Sequence, residues 1–262
     1  VPLEPPLVFP TVEPGDAVVV SGSTFVTFQQ CPEQALGRMR GSYGPESRPA
    51  FSGSLAHRIF ARHLSSGPIS EAGFATACRE EIGTALNPKL SALRLRPREL
   101  EGVIQEVASL YQRFCRLGQQ GFAGAEVSLE VVPAEGVTLR GKVDAVFDEG
   151  EAGTRLVDWK TGSLGDPGPQ LSFYALLWAL ERGDLPGRVE AVSLASGERV
   201  EEVPTRAGVQ ATAAAAAQVV NLLRRAFAAG GHLERAAGPW CRWCPLLDEC
   251  EEGRAATALL DS

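Results

Sequence analysis

Two hydrophobic periods divide the chain. In its first half apolar residues recur every three to four positions. Residues 21–40, SGSTFVTFQQCPEQALGRMR, predict a helix capped by Ser21 or Ser23, with Phe25 and Phe28 inward and a turn or break at Cys31-Pro32. A Gly/Pro/Ser-rich link at 41–50 leads into GSLAHRIFARHL, helical with Leu55, Ile59, Phe60 and Leu64 on one face. Helical pattern continues over 71–86 and 98–117, making an all-helical insert at about 71–120. The period then shortens to two. AEVSLEVV, TLRGKVDAVFD and TRLVDWK read as three strands joined by hairpins, hence an antiparallel meander. After the loop TGSLGDPGP, QLSFYALLWALERG is a helix with Leu171, Tyr174, Ala175 and Trp178 at helical spacing, and RVEAVSLA and ERVEEV add strand pattern. GVQATAAAAAQVVNLLRRAFAAG is a strong helix former that stops at Gly230-Gly231 and delivers the chain to PWCRWCPLLDEC. The order helix, three strands, helix, strand predicts an α/β fold with a mixed sheet flanked by helices. Residues 1–20, rich in proline, form an extended arm; residues 21–262 form one domain ending in a cysteine-bearing region at 240–250.

Composition narrows the class. Of 262 residues 44% are hydrophobic and 22% charged, enough apolar surface for a sizeable core and too little charge for disorder. The balance of 25 basic and 32 acidic residues, a net −7, excludes a polybasic or histone-like binder. It leaves nucleic acid open as a partner, because phosphate binding needs only a local basic strip. No apolar run approaches the roughly 20 residues that cross a bilayer, and VPLEPPLVFP lacks the layout of a signal peptide. A cytoplasmic protein without membrane attachment is expected.

The most informative residues are Asp144, Asp158 and Lys160. Residues two apart on a strand share a face, so Asp158 and Lys160 project together while Val157 and Trp159 point the other way. If Asp144 lies on the neighbouring strand, about 5 Å away, two carboxylates and an ammonium converge. Hard carboxylate oxygens suit Mg²⁺ or Mn²⁺ with a phosphate-bearing substrate, and a lysine beside such an ion can orient an attacking water. The segment RGKVDAVFDEGEAGTRLVDWKTG resembles motifs II and III of the PD-(D/E)XK nuclease superfamily in its RecB-like group, G-x-(I/V)-D and (V/L)-D-(Y/W)-K-(T/S)-G.

That resemblance implies more. GSLAHRIF matches the group's G-x-x-x-H helix and makes His57 a further metal ligand beside Asp144, Asp158 and the backbone carbonyl of Trp159. Glu126, rather than its rival Glu130, matches the glutamate ahead of G-x-(I/V)-D, and QLSFYALLWA resembles the Q-x-x-x-Y helix, which brings Gln170 and Tyr174 to the site. His63, some 240° around the helix from His57, is expected at the surface.

Six cysteines complete the picture. Cys78 and Cys115 each sit alone in helical sequence and read as small buried hydrophobes. Cys31 with the C-x2-C-x5-C set Cys241, Cys244 and Cys250 resembles the iron-sulfur subgroup of AddB-type helicase-nucleases and of the RecB-like nuclease of CRISPR adaptation, which implies a [4Fe-4S] cluster clipping chain segments some 210 residues apart, shielded by Trp240 and Trp243. By ligand chemistry alone, four thiolates hold Zn²⁺ equally well. Arg38, Arg40, Arg48, Arg58 and Arg62, with Arg94, Arg96 and Arg98, are candidate phosphate contacts, and nothing in the sequence predicts base reading. The implied activity is a Mg²⁺- or Mn²⁺-dependent, sequence-neutral deoxyribonuclease, an exonuclease on single strands or DNA ends in repair or recombination. The rivals are a CRISPR spacer-processing nuclease of the same group and a non-catalytic iron-sulfur DNA-binding module. No Walker motif is present, so any unwinding would need a separate helicase chain as partner.

Overall fold

The computed structural model describes residues 3–260. Its centre is a six-stranded mixed sheet with helices on both faces. The strands are β1 (Val18–Ser21), β2 (Phe122–Ala134), β3 (Val137–Asp148), β4 (Thr154–Lys160), β5 (Arg188–Ser193) and β6 (Arg199–Glu202). β2, β3 and β4 form the expected antiparallel meander; β5 joins β4 in parallel and β6 closes the edge antiparallel to β5.

One property of β3 organises everything else. β2 occupies one of its edges along almost the whole length, while the other edge is divided: β1 pairs in parallel with residues 137–140, and β4 pairs antiparallel with residues 145–148. Because β1 runs with β3 and β4 against it, both strands point their C-terminal ends at the same gap, opposite residues 141–144. Diverging strand ends leave backbone and side chains uncovered by a neighbouring strand, the usual place for a ligand in open α/β sheets.

The helices fill two cores. Against one face pack α1 (Gly22–Gln30), α2 (Pro32–Met39), α7 (Gly168–Arg182) and α8 (Arg206–Ala228), burying Phe25, Leu36, Leu171, Leu176 and Val220 with Leu129, Leu139 and Val189 of the sheet. Against the other pack α3 (Arg48–Ser66), α4 (Glu71–Glu81), α5 (Asn87–Leu93) and α6 (Pro97–Phe114), joined by a π-helical turn at Ile82–Leu86, with Phe51, Phe60 and Phe114 on Phe147, Val157 and Trp159. The chain ends in two 3-10 turns and α9 (Glu251–Leu260). Ser21 caps α1 through Thr24 N–H at 3.1 Å, and Pro32 opens α2 where its missing N–H costs nothing, so the Cys31-Pro32 break is a true helix boundary.

Three expectations need correction. The arm outside the sheet reaches only to about residue 17, since Val18–Ser21 is a strand of the sheet whose partner lies 119 residues downstream; before it, the arm is strapped along α8 by Arg206, Gln210 and Arg224, which donate to the carbonyls of Pro5, Val8 and Asp16. His63 is buried, not at the surface. It sits three and four residues after Phe60 and Ile59, on the α3 face that meets α6, where Tyr111 hydroxyl lies 2.7 Å from its Nδ1 and Gln119 Oε1 2.9 Å from its Nε2. Cys78 is fully buried as expected, but Cys115 is exposed at the C-terminal end of α6.

Candidate active site

Asp144 stands at the gap in β3. Alternation would put Val143 and Ala145 on one face, yet Val143 packs with the α1/α7/α8 core and Ala145 with the α3/α6 core. The strand therefore changes the face it presents at Asp144. The partner strand kinks at the same level: Ala125 and Val127 pair with Ala145 and Val143, and Glu126 between them adopts φ 52°, a left-handed conformation that non-glycine residues enter only at a cost. Glu126 and Asp144 thus face one another at the irregularity.

Each carboxylate is held by fixed donors. Asp144 Oδ2 accepts the backbone N–H of Trp159 at 2.7 Å, and its Oδ1 lies 2.9 Å from His57 Nδ1, delivered by α3. Asp158 comes one residue after Val157, the partner of Ala145. Its Oδ1 accepts from Gln170 Nε2 at 2.9 Å and from the Tyr174 hydroxyl at 3.4 Å, both one turn apart on α7. Lys160 Nζ lies 2.8 Å from Asp158 Oδ2 but aims its hydrogen bond at Gln170 Oε1, 2.6 Å away, so the buried Oδ2 has an ion pair and no aligned donor. Glu126 pairs with Lys142, two residues before Asp144 on β3.

Ligand-capable atoms of His57, Glu126 and Asp144 all lie within 4.8 Å of one another. Two ligands of one Mg²⁺ are at most about 4.2 Å apart, given bonds of about 2.1 Å, so small side-chain rotations bring this trio onto an ion. Asp158 stands outside the trio, tied to Lys160, Gln170 and Tyr174. Trp159 contributes its N–H to the cluster, through Asp144.

Electrostatics point the same way. Burial pushes the Asp158 carboxyl up, and neighbouring Asp144 adds to this against the pull of Lys160. Burial would lower the His57 imidazole, but Asp144, with Asp158 and Glu126 behind it, holds it above the ordinary value. Burial and the same two aspartates raise the Tyr174 hydroxyl well above its usual range, which keeps it a neutral donor. Excess negative charge gathered in a buried place is what a divalent cation relieves, and a hard oxygen set with one imidazole is chemistry that Mg²⁺ or Mn²⁺ accepts.

Sequence reasoning overlooked Lys142 and Gly141. Lys142 shares strand parity with Asp144, a signal present in GKVD. A Cβ at Gly141 would meet Leu177 Cδ1 at 2.7 Å and Tyr174 Cε1 at 3.1 Å, so the missing side chain is what lets α7 reach the sheet. The expected basic strip is largely neutralised: Arg48 pairs with Glu106, Arg58 with Glu81 and Arg62 with Glu80, while Arg40 donates to the carbonyls of Ala226 and Gly231.

The four remaining cysteines, Cys31, Cys241, Cys244 and Cys250, line one small pocket together with Trp240. Backbone N–H groups of Gly238 and Gly253 donate to Cys241 and Cys250 Sγ at 3.4 and 3.3 Å. Burial, reinforced by the other three sulfurs, pushes the Cys244 thiol up. Trp243 does not shield this pocket; it is 74% exposed.

Comparison with known proteins places this geometry. No curated protein matches the chain. The crystal structure of SSO0001 is similar with a TM-score of 0.36 and 13% identity, over 76% of this chain and 94% of that one. A family model of the PD-(D/E)XK nuclease superfamily matches residues 19–251, a span that holds β2 to β6, all of β1 but its first residue, and every residue of the cluster at the gap. The chain belongs to the PD-(D/E)XK nuclease superfamily.

Proposed function

We propose that this protein is a metal-dependent DNA nuclease of the RecB-like, iron-sulfur group, working exonucleolytically on single strands or DNA ends in repair or recombination. The observation that carries the catalytic part is the meeting of Asp144, Asp158, Lys160 and His57 where β1 and β4 part along β3. His57 and Asp144, already within reach of a common ion together with Glu126, would hold it, and Asp158 and the carbonyl of Trp159 would join them as Asp158 turns from Lys160. A bound Mg²⁺ or Mn²⁺ supplies Lewis acidity toward the phosphoryl oxygen and acidifies water.

The remaining roles belong to side chains. Lys160, locked between Asp158 and Gln170, presents its ammonium to a water on the substrate side and offsets charge that develops on the phosphoryl oxygens. Gln170 and Tyr174 fix the Asp158 carboxylate in one orientation, so little reorganisation is needed as charge builds. The test is degradation of end-labelled single-stranded DNA in Mn²⁺ by wild type, Asp158→Ala and Lys160→Ala. Loss of at least 10²-fold in both variants is expected; equal rates in all three defeat the assignment.

For the cysteines the same reading places a [4Fe-4S] cluster on Cys31, Cys241, Cys244 and Cys250. Their shared pocket and the N–H donors to two sulfurs support it. Anaerobically purified protein should be brown, with iron and acid-labile sulfide in equal amounts. Colourless protein with stoichiometric zinc would remove the cluster and leave the nuclease.

A further inference from the structure

Beside the candidate active site runs a groove whose far end carries two exposed aromatic rings without an assigned role. A depression of about 480 Å³ begins at Gln170 and Tyr174, the residues that hold Asp158, and is lined by Lys142, Arg140, Ser21 and Ser23. The last three of these lead onward, because Arg140, Ser21 and Ser23 also line a concavity of about 690 Å³ that ends on Arg38, Tyr43 and Trp243. The two hollows form one path from the carboxylates to the cysteine-bearing end of the chain.

The far end of this path is unusual in its chemistry. Tyr43 and Trp243 are 73% and 74% exposed, among the most solvent-accessible large hydrophobics of the described residues. They stand 200 positions apart in sequence, Tyr43 in a loop and Trp243 at the end of a 3-10 turn, yet their backbones are neighbours: a Cβ on Gly44 would lie 3.6 Å from the Trp243 carbonyl. Neither ring stacks on another ring among the described residues. The cations here are also the unspent ones. Arg38 donates to the Thr27 hydroxyl and has no carboxylate partner, and Arg140 is exposed and unpaired among the described residues. This contrasts with Arg48, Arg58 and Arg62, each committed to a glutamate. Of the basic liners Arg38, Arg140, Arg224 and Lys142 only Lys142 is paired with a carboxylate among the described residues, that of Glu126, while the acidic liners are two, Asp16 and Glu130.

Two exposed rings beside guanidinium groups with no carboxylate partner suit a polymer that offers flat apolar faces on one side and phosphates on the other. Single-stranded DNA is such a polymer; in a duplex the base faces are already stacked. We propose that Tyr43 and Trp243 form a base-stacking platform which, with Arg38 and Arg140, seats a single strand in the groove and feeds it to the cluster at Asp144 and Asp158. The delivery half of this proposal rests on the nuclease reading above; the platform itself rests on the groove. It gives the enzyme preference for single strands over duplex and for substrates long enough to reach the rings.

The test uses the full-length protein. Binding of a fluorescein-labelled dT 20-mer is measured by anisotropy in EDTA, where no cleavage occurs, for wild type, Tyr43→Ala, Trp243→Ala, Tyr43→Phe and the distant exposed control Val203→Ser. Each alanine variant should raise Kd about tenfold, and Tyr43→Phe, which keeps the ring, should restore it; Val203→Ser should match wild type. In Mn²⁺ the alanine variants should raise KM for the 20-mer while kcat holds, a split that a damaged fold does not produce. Bis(p-nitrophenyl) phosphate, too short to span the groove, should be hydrolysed by Tyr43→Ala and wild type alike. Unchanged Kd and KM in both alanine variants, with DNA cleavage intact, overturn the platform and leave the nuclease. Failure of the wild type to cleave DNA, with ring-dependent binding intact, removes the nuclease and leaves the platform. A wild type that is dimeric where Trp243→Ala is monomeric makes the rings a self-association surface and also overturns the proposal.

Discussion

Replacing Gly141 with alanine adds one methyl group at the place where α7 touches the sheet. Gly141 pairs with Leu129 in regular strand geometry, so the backbone tolerates alanine and only the space does not. The added carbon falls 2.7 Å from Leu177 Cδ1 and 3.1 Å from Tyr174 Cε1, against about 3.5–4.0 Å for carbon atoms at rest. Leu177 is fully buried and Tyr174 nearly so, so neither can swing into solvent, and either Leu177 repacks within the core or α7 retreats. Overpacking of this kind costs about 1–3 kcal/mol. The lower entropy of an unfolded chain with alanine returns about 0.4–1 kcal/mol. The net loss is about 1–2 kcal/mol, which in a protein of this size lowers Tm by about 2–6 °C. If α7 retreats, the functional effect is larger, because Gln170 and Tyr174 move with α7 away from Asp158; a displacement of about 1 Å in a positioning element costs on the order of 10²-fold in kcat. Thermal melts and single-strand degradation in Mn²⁺ measure the two effects on one sample. The decisive arm is the double-mutant cycle. With Leu177→Ala the nearest obstacle is gone and Tyr174 has room to yield the few tenths of an ångström it must, so adding Gly141→Ala to that variant should cost markedly less. An equal penalty in both backgrounds would refute the steric argument, as would a single variant with wild-type Tm and kcat.

Other consequences follow from the buried polar groups. Arg155 packs over Phe147 and donates to Glu190, which is fully buried; Arg155→Met alone leaves that carboxylate only its 3.5 Å contact with Arg199 and should destabilise by up to about 3–5 kcal/mol, and Arg155→Met/Glu190→Leu should recover most of it, both read from chemical denaturation. Burial alone would push the Glu149 carboxyl up, but the guanidinium groups of Arg188 and Arg155 hold it below the ordinary value. A depressed carboxylate stabilises the fold above its unfolded pKa and loses that contribution as pH falls through its folded pKa. Glu149→Gln should therefore flatten the stability profile below about pH 4.5, with little change in slope at neutral pH. Burial pushes the Cys78 thiol up to about 12, so in native protein at pH 8 a maleimide reagent should label exposed Cys115 and spare Cys78; equal labelling would place Cys78 in a more open environment.

How much of this was readable in advance depends on how local each signal is. The meander β2–β4 was legible because period-two runs flank turn residues, and the α1–α2 break because Pro32 follows a polar stop. β1 was not: VVVS has no adjoining hairpin, and its partner at 137–140 is reached only through the folded topology. α5 and α9 are short and carry no strong periodic signal, and α5 ends on Arg94 in a left-handed conformation that nothing in RLRPR announces. At the site, the motif residues were visible, and the structure brings His57, Glu126, Asp144, Asp158, Lys160, Gln170 and Tyr174 into one neighbourhood. The left-handed backbone at Glu126 and the change of face at Asp144 were invisible, because the strain is imposed by two strands together and no glycine marks it. His63 was misplaced for a different reason. Its angle from His57 was measured correctly, but α3 is covered on the α6 side as well as toward the sheet, so leaving one face does not mean reaching water. The arginines misled in the same way, since their partners Glu80, Glu81 and Glu106 sit on α4 and α6 and only tertiary packing pairs them.

The central claim, that His57, Asp144 and Asp158 share one divalent cation, is tested most directly by calorimetric titration of Mn²⁺ into apo protein. Wild type should bind Mn²⁺ at this site in a transition that EDTA reverses, with His57→Ala, Asp144→Asn and Asp158→Asn each weakening it by at least tenfold while Lys160→Met leaves it measurable. Mn²⁺ binding of wild-type affinity in all three ligand variants would contradict the account.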